Sequence, residues 1–337
     1  MKKDFLSIAD WTGKELLNIL DLSKKMKTNP KKFSKSLQGK SVALIFEKQS
    51  LRTHVTFEIG IKQLGANTVY LTNADISLGK RESVYDVAKN LERWVDAIII
   101  RTYGHQNVEE LAKTARACVV NALTDFEHPC QAVGDFLTIQ EHLGSFKGKK
   151  LAWIGDGNNV CHSLMLMAAN VGMDFVAITP ASNMPDGGVI KASQDIAEST
   201  GAKIELSNDP ANSVQGADVI YTDVWISMGQ EAERDTKIKA FDGFQVNMDL
   251  LRKAKSTVIF MHCLPAHRGE EVTDEVMDSV QSVVFDEAEN RLHTQKAIIY
   301  TLIKNQNREK IHTRRNRRKL ANTGRTARNT RRTARKR

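Results

Sequence analysis

Lys150-Leu151-Ala152-Trp153-Ile154-Gly155-Asp156-Gly157-Asn158-Asn159 is an apolar run that stops at a glycine turn and leads directly into a helical pattern from Asn159 to Val171. A short, continuously apolar run bounded by such a turn reads as a strand buried on both faces. The same reading extends outward in both directions. Upstream, strands are expected at Ser41 to Phe46, Thr68 to Leu71, Ala97 to Ile100 and Cys118 to Asn121. Downstream they are expected at Phe175 to Thr179, Lys203 to Leu206, Val219 to Thr222 and Thr257 to Met261. Helical periodicity falls between them, at Arg52 to Leu64, Ser83 to Trp94, Val108 to Ala115, Pro129 to Leu143 and Ile190 to Ser199. Strands separated by helices predict an α/β protein with parallel sheets covered on both sides. The polar hinge Gly144-Ser145-Phe146-Lys147-Gly148 separates a long helix from a fresh strand, so two doubly wound domains with a central cleft are expected, divided at 145/146.

Composition agrees with two domains. The chain has 337 residues, 41% hydrophobic and 26% charged, which excludes wholesale disorder. No apolar run approaches the roughly 18 residues of a membrane helix, and Met1-Lys2-Lys3-Asp4 does not open a signal peptide. Cys118, Cys130, Cys161 and Cys263 are scattered, with neither a disulfide framework nor zinc-ligand spacing, which fits a cytoplasmic protein. The net charge of +9 is misleading. Residues 308–337 carry 14 Lys/Arg against one acid, leaving 35 basic and 39 acidic residues in the body. The tail at 306–337 is read as disordered. Its arginines offer non-specific contact with nucleic-acid phosphates, but it has no aromatic residue for base stacking.

In open α/β sheets ligands gather beyond the carboxyl ends of strands. Ser50-Leu51-Arg52-Thr53 follows the first strand and opens a helix, where free N–H groups and a guanidinium favour an anion. The plainer alternative is that Ser50 simply caps the helix. Arg101 ends a buried strand. His128-Pro129-Cys130-Gln131 opens another helix and sets an imidazole and an amide where they reach a carbonyl or oxyanion, or merely cap the helix. Gly155-Asp156-Gly157 begins like a dinucleotide fingerprint, but its third glycine is missing and no acid ends the next strand. Asp223 and Ser227, four apart on a loop, suit an ammonium group. Cys263, after His262, is either a buried structural thiol or half of a metal pair lacking further ligands at zinc spacing.

Taken together these segments resemble the aspartate/ornithine carbamoyltransferase family, collinearly from about residue 4 to residue 305. The family's S-T-R-T phosphate loop stands here as Ser50-Leu51-Arg52-Thr53. Its H-P-C-Q is His128 to Gln131, its H-C-L-P is His262 to Pro265, and its late A-E-N-R is Ala288 to Arg291. The D-x-W-x-S-M-G-Q-E loop of the ornithine branch is Asp223 to Glu231. The resemblance implies a carbamoyl-phosphate-binding domain at 1–145, completed by a C-terminal helix at 290–305 that crosses back to it. It implies an ornithine-binding domain at 146–289. It also implies homotrimers, or multiples of trimers, with active sites at subunit interfaces, and no cofactor or metal.

The implied reaction moves the carbamoyl group of carbamoyl phosphate to the side-chain amine of L-ornithine, giving L-citrulline and phosphate. By matching motifs, carbamoyl phosphate is held by Ser50, the Leu51 backbone, Arg52, Thr53, Arg101, His128, Gln131, Cys263, Leu264 and Arg291. Ornithine is held by Asn159, Asp223, Ser227 and Met228, and Arg101, His128 and Cys263 are the catalytic set. Three positions depart from the family pattern. Leu51 replaces Thr, His54 stands where Arg is common, and Ser77 replaces a Gln that reaches a neighbouring subunit's phosphate. The rival substrates, putrescine or an N-acylated ornithine, belong to branches lacking the Asp223 to Glu231 loop.

Overall fold

The computed structural model describes residues 4–227, 229 and 231–306. The tail expected to be disordered, from residue 307 onward, and Met228 lie outside the described residues.

Two parallel sheets form the frame. The first has β1 (Ser41–Phe46), β2 (Asn67–Thr72), β3 (Ala97–Arg101) and β4 (Cys118–Leu123) in the order β2-β1-β3-β4. The second has β5 (Lys150–Ile154), β6 (Asp174–Ile178), β7 (Ile204–Ser207), β8 (Val219–Thr222) and β9 (Ile259–His262) in the order β7-β6-β5-β8-β9. In both sheets the chain moves outward in two directions from a central strand, which is the doubly wound pattern. All nine expected strands are present, three with the expected ends and the rest displaced by one or two residues.

Alternating strand residues explain the layers. Val42, Leu44 and Phe46 join Leu151, Trp153, Tyr221 and Met261 in one continuous core between the sheets. Ala43, Ile45, Ile98 and Ile100 face the other way, beneath α4 (Val84–Trp94) and α5 (His105–Thr114). Ala152, Ile154, Ile220 and Phe260 face a third cluster with α11 (Met248–Lys253). Burial on both faces is why these strands lack polar alternation.

The shared core is filled by α1 (Gly13–Thr28), α6 (Pro129–Leu143), α7 (Asn159–Val171) and a long helix at 284–306, here α13. Helix α1, absent from the expected helices, starts at a Thr12/Glu15 capping box and buries Leu16, Ile19, Leu20 and Met26. Helix α13 begins six residues before the expected 290 and returns to the first sheet's side. Asn290 Nδ2 reaches Thr138 Oγ1 at 2.9 Å, and Lys296 Nζ reaches Gln63 Oε1 at 2.9 Å on α2 (Leu51–Gln63).

Register brings the strand ends level. Phe46 pairs with both Thr72 and Arg101, and Arg101 with Leu123. Ile154 pairs with Ile178 and Thr222, and Thr222 with His262. The loops beginning at 47, 102, 124, 155, 223 and 263 therefore leave their sheets at matching heights.

Gly157 has a local explanation. A Cβ there would lie 2.2 Å from Pro185 N and 2.4 Å from Met184 C, so packing against the chain at 183–185 requires glycine. Gly157→Ala is expected to lower stability by about 1–3 kcal/mol through overpacking against rigid backbone. Urea unfolding checks this, and an unchanged midpoint would refute the packing account.

Candidate active site

Helix α2 begins at Ser50, whose Oγ accepts from the Thr53 backbone N–H at 3.1 Å. The capping alternative thus describes the Ser50 side chain, and the N–H groups ahead of Thr53 keep the helix-end field. Thr53 is buried and its Oγ1 accepts from Arg291 Nη2 at 3.1 Å. Arg291 reaches this point from α13 and is only 2% exposed. Its Nη1 donates to Gln131 Oε1 on α6. It lies across Gly134, where a Cβ would come within 2.8 Å of Arg291 Cδ.

Arg101 ends β3 at a register shift between Ile100 and Arg101. Such irregularities re-aim a side chain at a sheet's end. The guanidinium is buried, and desolvation, then Arg291 and Arg52, lower its pKa to about 10. It still carries its charge at neutral pH. The neighbouring guanidiniums of Arg291 and Arg52 both disfavour that charge.

His128 occupies the N-cap position of α6 but its side chain makes no capping bond, so the capping alternative fails for this ring. Its backbone N–H donates to Ser163 Oγ at 3.0 Å. Burial, followed by Arg291, Arg101 and Arg52, holds the imidazole well below its usual pKa. The ring is therefore neutral and has one N–H to give. Among the described residues, Arg101 Nε, Arg291 Nε and His128 Nδ1 are buried without a hydrogen-bond partner. Unpaired buried groups of this kind are rare and call for a partner. Three of them beside clustered guanidiniums suit a small anion with a carbonyl.

The second sheet supplies the opposite sign. Asp223, buried after β8, accepts from Cys263 Sγ at 3.0 Å and from Asn158 Nδ2 at 2.9 Å. Burial, then Asp223, pushes the Cys263 thiol well above its usual pKa, so it stays protonated and donates. Asn159 Nδ2 crosses to the Thr124 carbonyl at 2.6 Å and links the two sheets' loops. Leu264 has φ 59°, and its N–H donates to His262 Nδ1 at 2.9 Å. Ser227 is half-buried on the loop after Asp223.

One potential metal cluster arises here, since ligand atoms of Asp223, His262 and Cys263 lie within 4.8 Å of one another. Asp223, distant in sequence, is the third member that spacing did not suggest. Both His262 nitrogens are already engaged, however, Nδ1 with Leu264 and Nε2 with Glu271 Oε1 at 3.1 Å. The donor set fits a hydrogen-bond network better than a cation.

Of the residues singled out by sequence, Arg52, Thr53, Arg101, His128, Gln131 and Arg291 converge on one side, and Asp223, Cys263, Leu264 and Asn159 on the other. Leu51 instead faces outward, 73% exposed, and His54 stacks on Tyr70 with ring centroids 3.9 Å apart. Ser77 ties its Oγ to the Asn73 carbonyl at 2.8 Å. Sequence reading missed Asn158, which caps α7 through Oδ1 while holding Asp223. It also missed Gly134, although a glycine inside a helix was a signal of close approach.

Two facing parallel sheets with a cationic rim and an acid–thiol rim define a two-domain α/β enzyme whose cleft is divided between the two. Residues 3–141 match the aspartate/ornithine carbamoyltransferase, carbamoyl-P binding domain, and residues 147–302 the Asp/Orn binding domain of the same family. The chain belongs to this family. It is 52% identical over 303 residues to an ornithine carbamoyltransferase from Carboxydothermus hydrogenoformans, covering 89% of this chain and 97% of that one. It is 50% identical over 299 residues to an anabolic ornithine carbamoyltransferase from Pyrococcus furiosus, covering 88% of this chain and 95% of that one. A solved structure of ornithine carbamoyltransferase from Pyrococcus furiosus matches with a TM-score of 0.86 at 50% identity, over 88% of this chain and 96% of that chain.

The elevated thiol pKa has a measurable consequence. Alkylation requires thiolate, so Cys263 is expected to react with iodoacetamide at pH 8 at least tenfold more slowly than free cysteine. Mass-spectrometric labelling rates check this, and reaction at the free-cysteine rate would refute it.

Proposed function

We propose that this chain transfers the carbamoyl group of carbamoyl phosphate to the side-chain amine of L-ornithine, giving L-citrulline and phosphate. The observation that carries the reading is the convergence of Arg52, Arg101, Arg291 and neutral His128 opposite the Asp223–Cys263 pair. The names of the relatives support ornithine as acceptor, and the anabolic designation of the Pyrococcus furiosus relative supports a place in arginine biosynthesis. An N-acylated ornithine is the alternative acceptor, putrescine another.

The roles follow from charge. Carbamoyl phosphate is a compact dianion, and clustered guanidiniums at a helix N-terminus suit it. Residues 1–145 with the helix at 290–305 are assigned to it, with Arg52, the Leu51 amide, Ser50 and Thr53 around the phosphate. Arg101, His128 and Arg291 are assigned to its carbonyl and bridging oxygen, and Gln131 acts through Arg291. Residues 146–289 are assigned to ornithine, with Asn159, Asp223, Ser227 and Met228 around it and Cys263 and Leu264 beside the reacting centre.

The acceptor amine has a pKa of roughly 10 in water and attacks only when neutral. Exclusion of water lowers that value, and Asp223 with the Cys263 thiol orients the nitrogen. As the C–N bond forms, charge gathers on the carbamoyl oxygen, where Arg101 and His128 stabilise it without reorganising. The bond to phosphate then breaks and the phosphate takes the amine proton, so the reaction balances without a further acid or base.

Assembly as a homotrimer, or a multiple of trimers, is part of the same reading. Leu51, Val55 and Ile59 form an exposed apolar stripe at helical spacing along α2, beside exposed Val69 and Tyr70 on edge strand β2. Exposed apolar patches of this kind mark interaction surfaces, and the stripe accounts for Leu51 departing from Thr. Among the described residues no helix is long and apolar enough to cross a membrane. A cytoplasmic place is part of the same proposal. The +13 tail supports non-specific nucleic-acid contact, tested by salt-dependent binding before and after truncation at Asn307.

Phosphate release from carbamoyl phosphate is expected to be at least tenfold faster with ornithine than with putrescine or N-acetylornithine as acceptor; a faster rate with either would overturn the acceptor assignment. Arg101→Gln is expected to lower kcat by about 10²–10³-fold, the usual effect of losing an oxyanion donor, as steady-state kinetics would show. Ile59→Asp is expected to shift the species seen by analytical ultracentrifugation toward monomer, and an unchanged sedimentation coefficient would exclude the α2 stripe as an interface.

A further inference from the structure

A separate buried cluster lies behind Arg291. Asp135 of α6, Tyr221 of β8 and Glu287 of α13 meet there, each buried to 1% exposure or less. Gln131 sends both amide hydrogens into it, from Nε2 to Asp135 Oδ1 at 2.7 Å and to Glu287 Oε1 at 3.0 Å. Its carbonyl oxygen points the other way and accepts from Arg291 Nη1. The His262 backbone N–H donates to Glu287 Oε2 at 3.0 Å. Tyr221 Oη lies 3.2 Å from Asp135 Oδ2 and 2.9 Å from Glu287 Oε1.

Counting hydrogens fixes the number of protons in the cluster. A phenol has one hydrogen and donates to only one of those two oxygens. The other contact is a hydrogen bond only if that carboxyl carries a proton. The added proton is shared through Tyr221: on Asp135 Oδ2 it is donated to Tyr221 Oη while Tyr221 donates to Glu287 Oε1, and on Glu287 Oε1 the two donations reverse. All four carboxyl oxygens are then satisfied, and the pair holds a single negative charge opposite the single charge of Arg291. A second negative charge in this dry interior would stand uncompensated. Burial raises both carboxyl pKa values, that of Asp135 to about 7 and that of Glu287 well above the usual carboxylate range, in agreement with one retained proton.

We propose that Asp135, Glu287 and Tyr221 are positioning residues that share one proton and lock the Gln131 amide in the one orientation that presents its oxygen to Arg291. With the amide reversed, its NH₂ would face the guanidinium and Arg291 would lose its aim. The cluster joins α6, β8 and α13, so it also ties the placement of Arg291 to the fit of one sheet against the other. The inference rests on the proposed function insofar as Arg291 is assigned to carbamoyl phosphate.

Isosteric variants of the full chain separate the roles of the two acids. Asn at 135 keeps an acceptor for Gln131 and a donor for Tyr221, reproducing protonated Asp. Gln at 287 sets an NH₂ against one of the three hydrogens that Glu287 accepts. Inorganic phosphate affinity, measured by calorimetry without turnover, is the primary readout, with KM for carbamoyl phosphate, kcat and thermal midpoints alongside. Asp135→Ala and Glu287→Gln are expected to weaken phosphate binding at least tenfold and raise KM more than they lower kcat. Asp135→Asn is expected to rescue the Ala variant to within about threefold of the parent.

Loss of phosphate affinity in Asp135→Asn as large as in Asp135→Ala would overturn the proposal. So would unchanged affinity and KM in folded Glu287→Gln with only a lowered thermal midpoint. Should the Ala and Gln variants not fold, Asp135→Asn decides alone, retention supporting the shared proton and loss refuting it. A parent that binds phosphate yet does not carbamoylate ornithine would sink the proposed function while leaving the clamp testable.

Discussion

Burying the Arg291 guanidinium between α2, α6 and α13 obliges three distant stretches of chain to provide its surroundings. Thr53 and Gln131 accept its hydrogens. Gly134 gives it room, since any larger residue would overlap its side chain. Asp135 and Glu287, sharing one proton, supply a single compensating charge. An uncompensated ion in such a place is strongly destabilising, so these groups form a set rather than separate choices. The same requirement brings the last described helix back against the first sheet.

Around that ion the cleft is divided by sign. Arg291 and Arg52 lie close enough to Arg101 to disfavour its charge, and burial together with the three guanidiniums keeps His128 neutral. On the facing rim, Asp223 does the reverse, raising the Cys263 thiol pKa so that it donates rather than attacks. Each rim is electrostatically unfavourable by itself, which is what makes it receptive to a ligand of opposite charge. Such arrangements trade some stability of the free protein for binding and catalysis.

Much of the fold was legible because both-face burial writes strands as unbroken apolar runs. The run at Lys150 to Ile154 and the pattern at Asn159 to Val171 match β5 and α7 residue for residue. Helix α1 was less visible because its N-terminal amphipathic pattern was not separated from the surrounding polar residues. Site residues were legible where a motif follows a strand, as with Ser50 to Thr53, His128 to Gln131 and Cys263. Asp135, Tyr221 and Glu287 gave no such mark. Each sits inside a regular element, where a buried polar side chain looks like any other solvated one until its neighbours are known.

The sequence by itself determined the parallel α/β architecture, the division near residue 145 as an expectation, and the loops in which chemistry would be found. Local apolar periodicity and strand-end position carry that information along the chain. Only the tertiary structure decided which groups are charged. The proton shared by Asp135 and Glu287, neutrality of His128 and retention of the Cys263 proton depend on desolvation and on charges placed nearby by residues 24 to 163 positions away. Those are properties of the three-dimensional dielectric environment, which no linear spacing encodes.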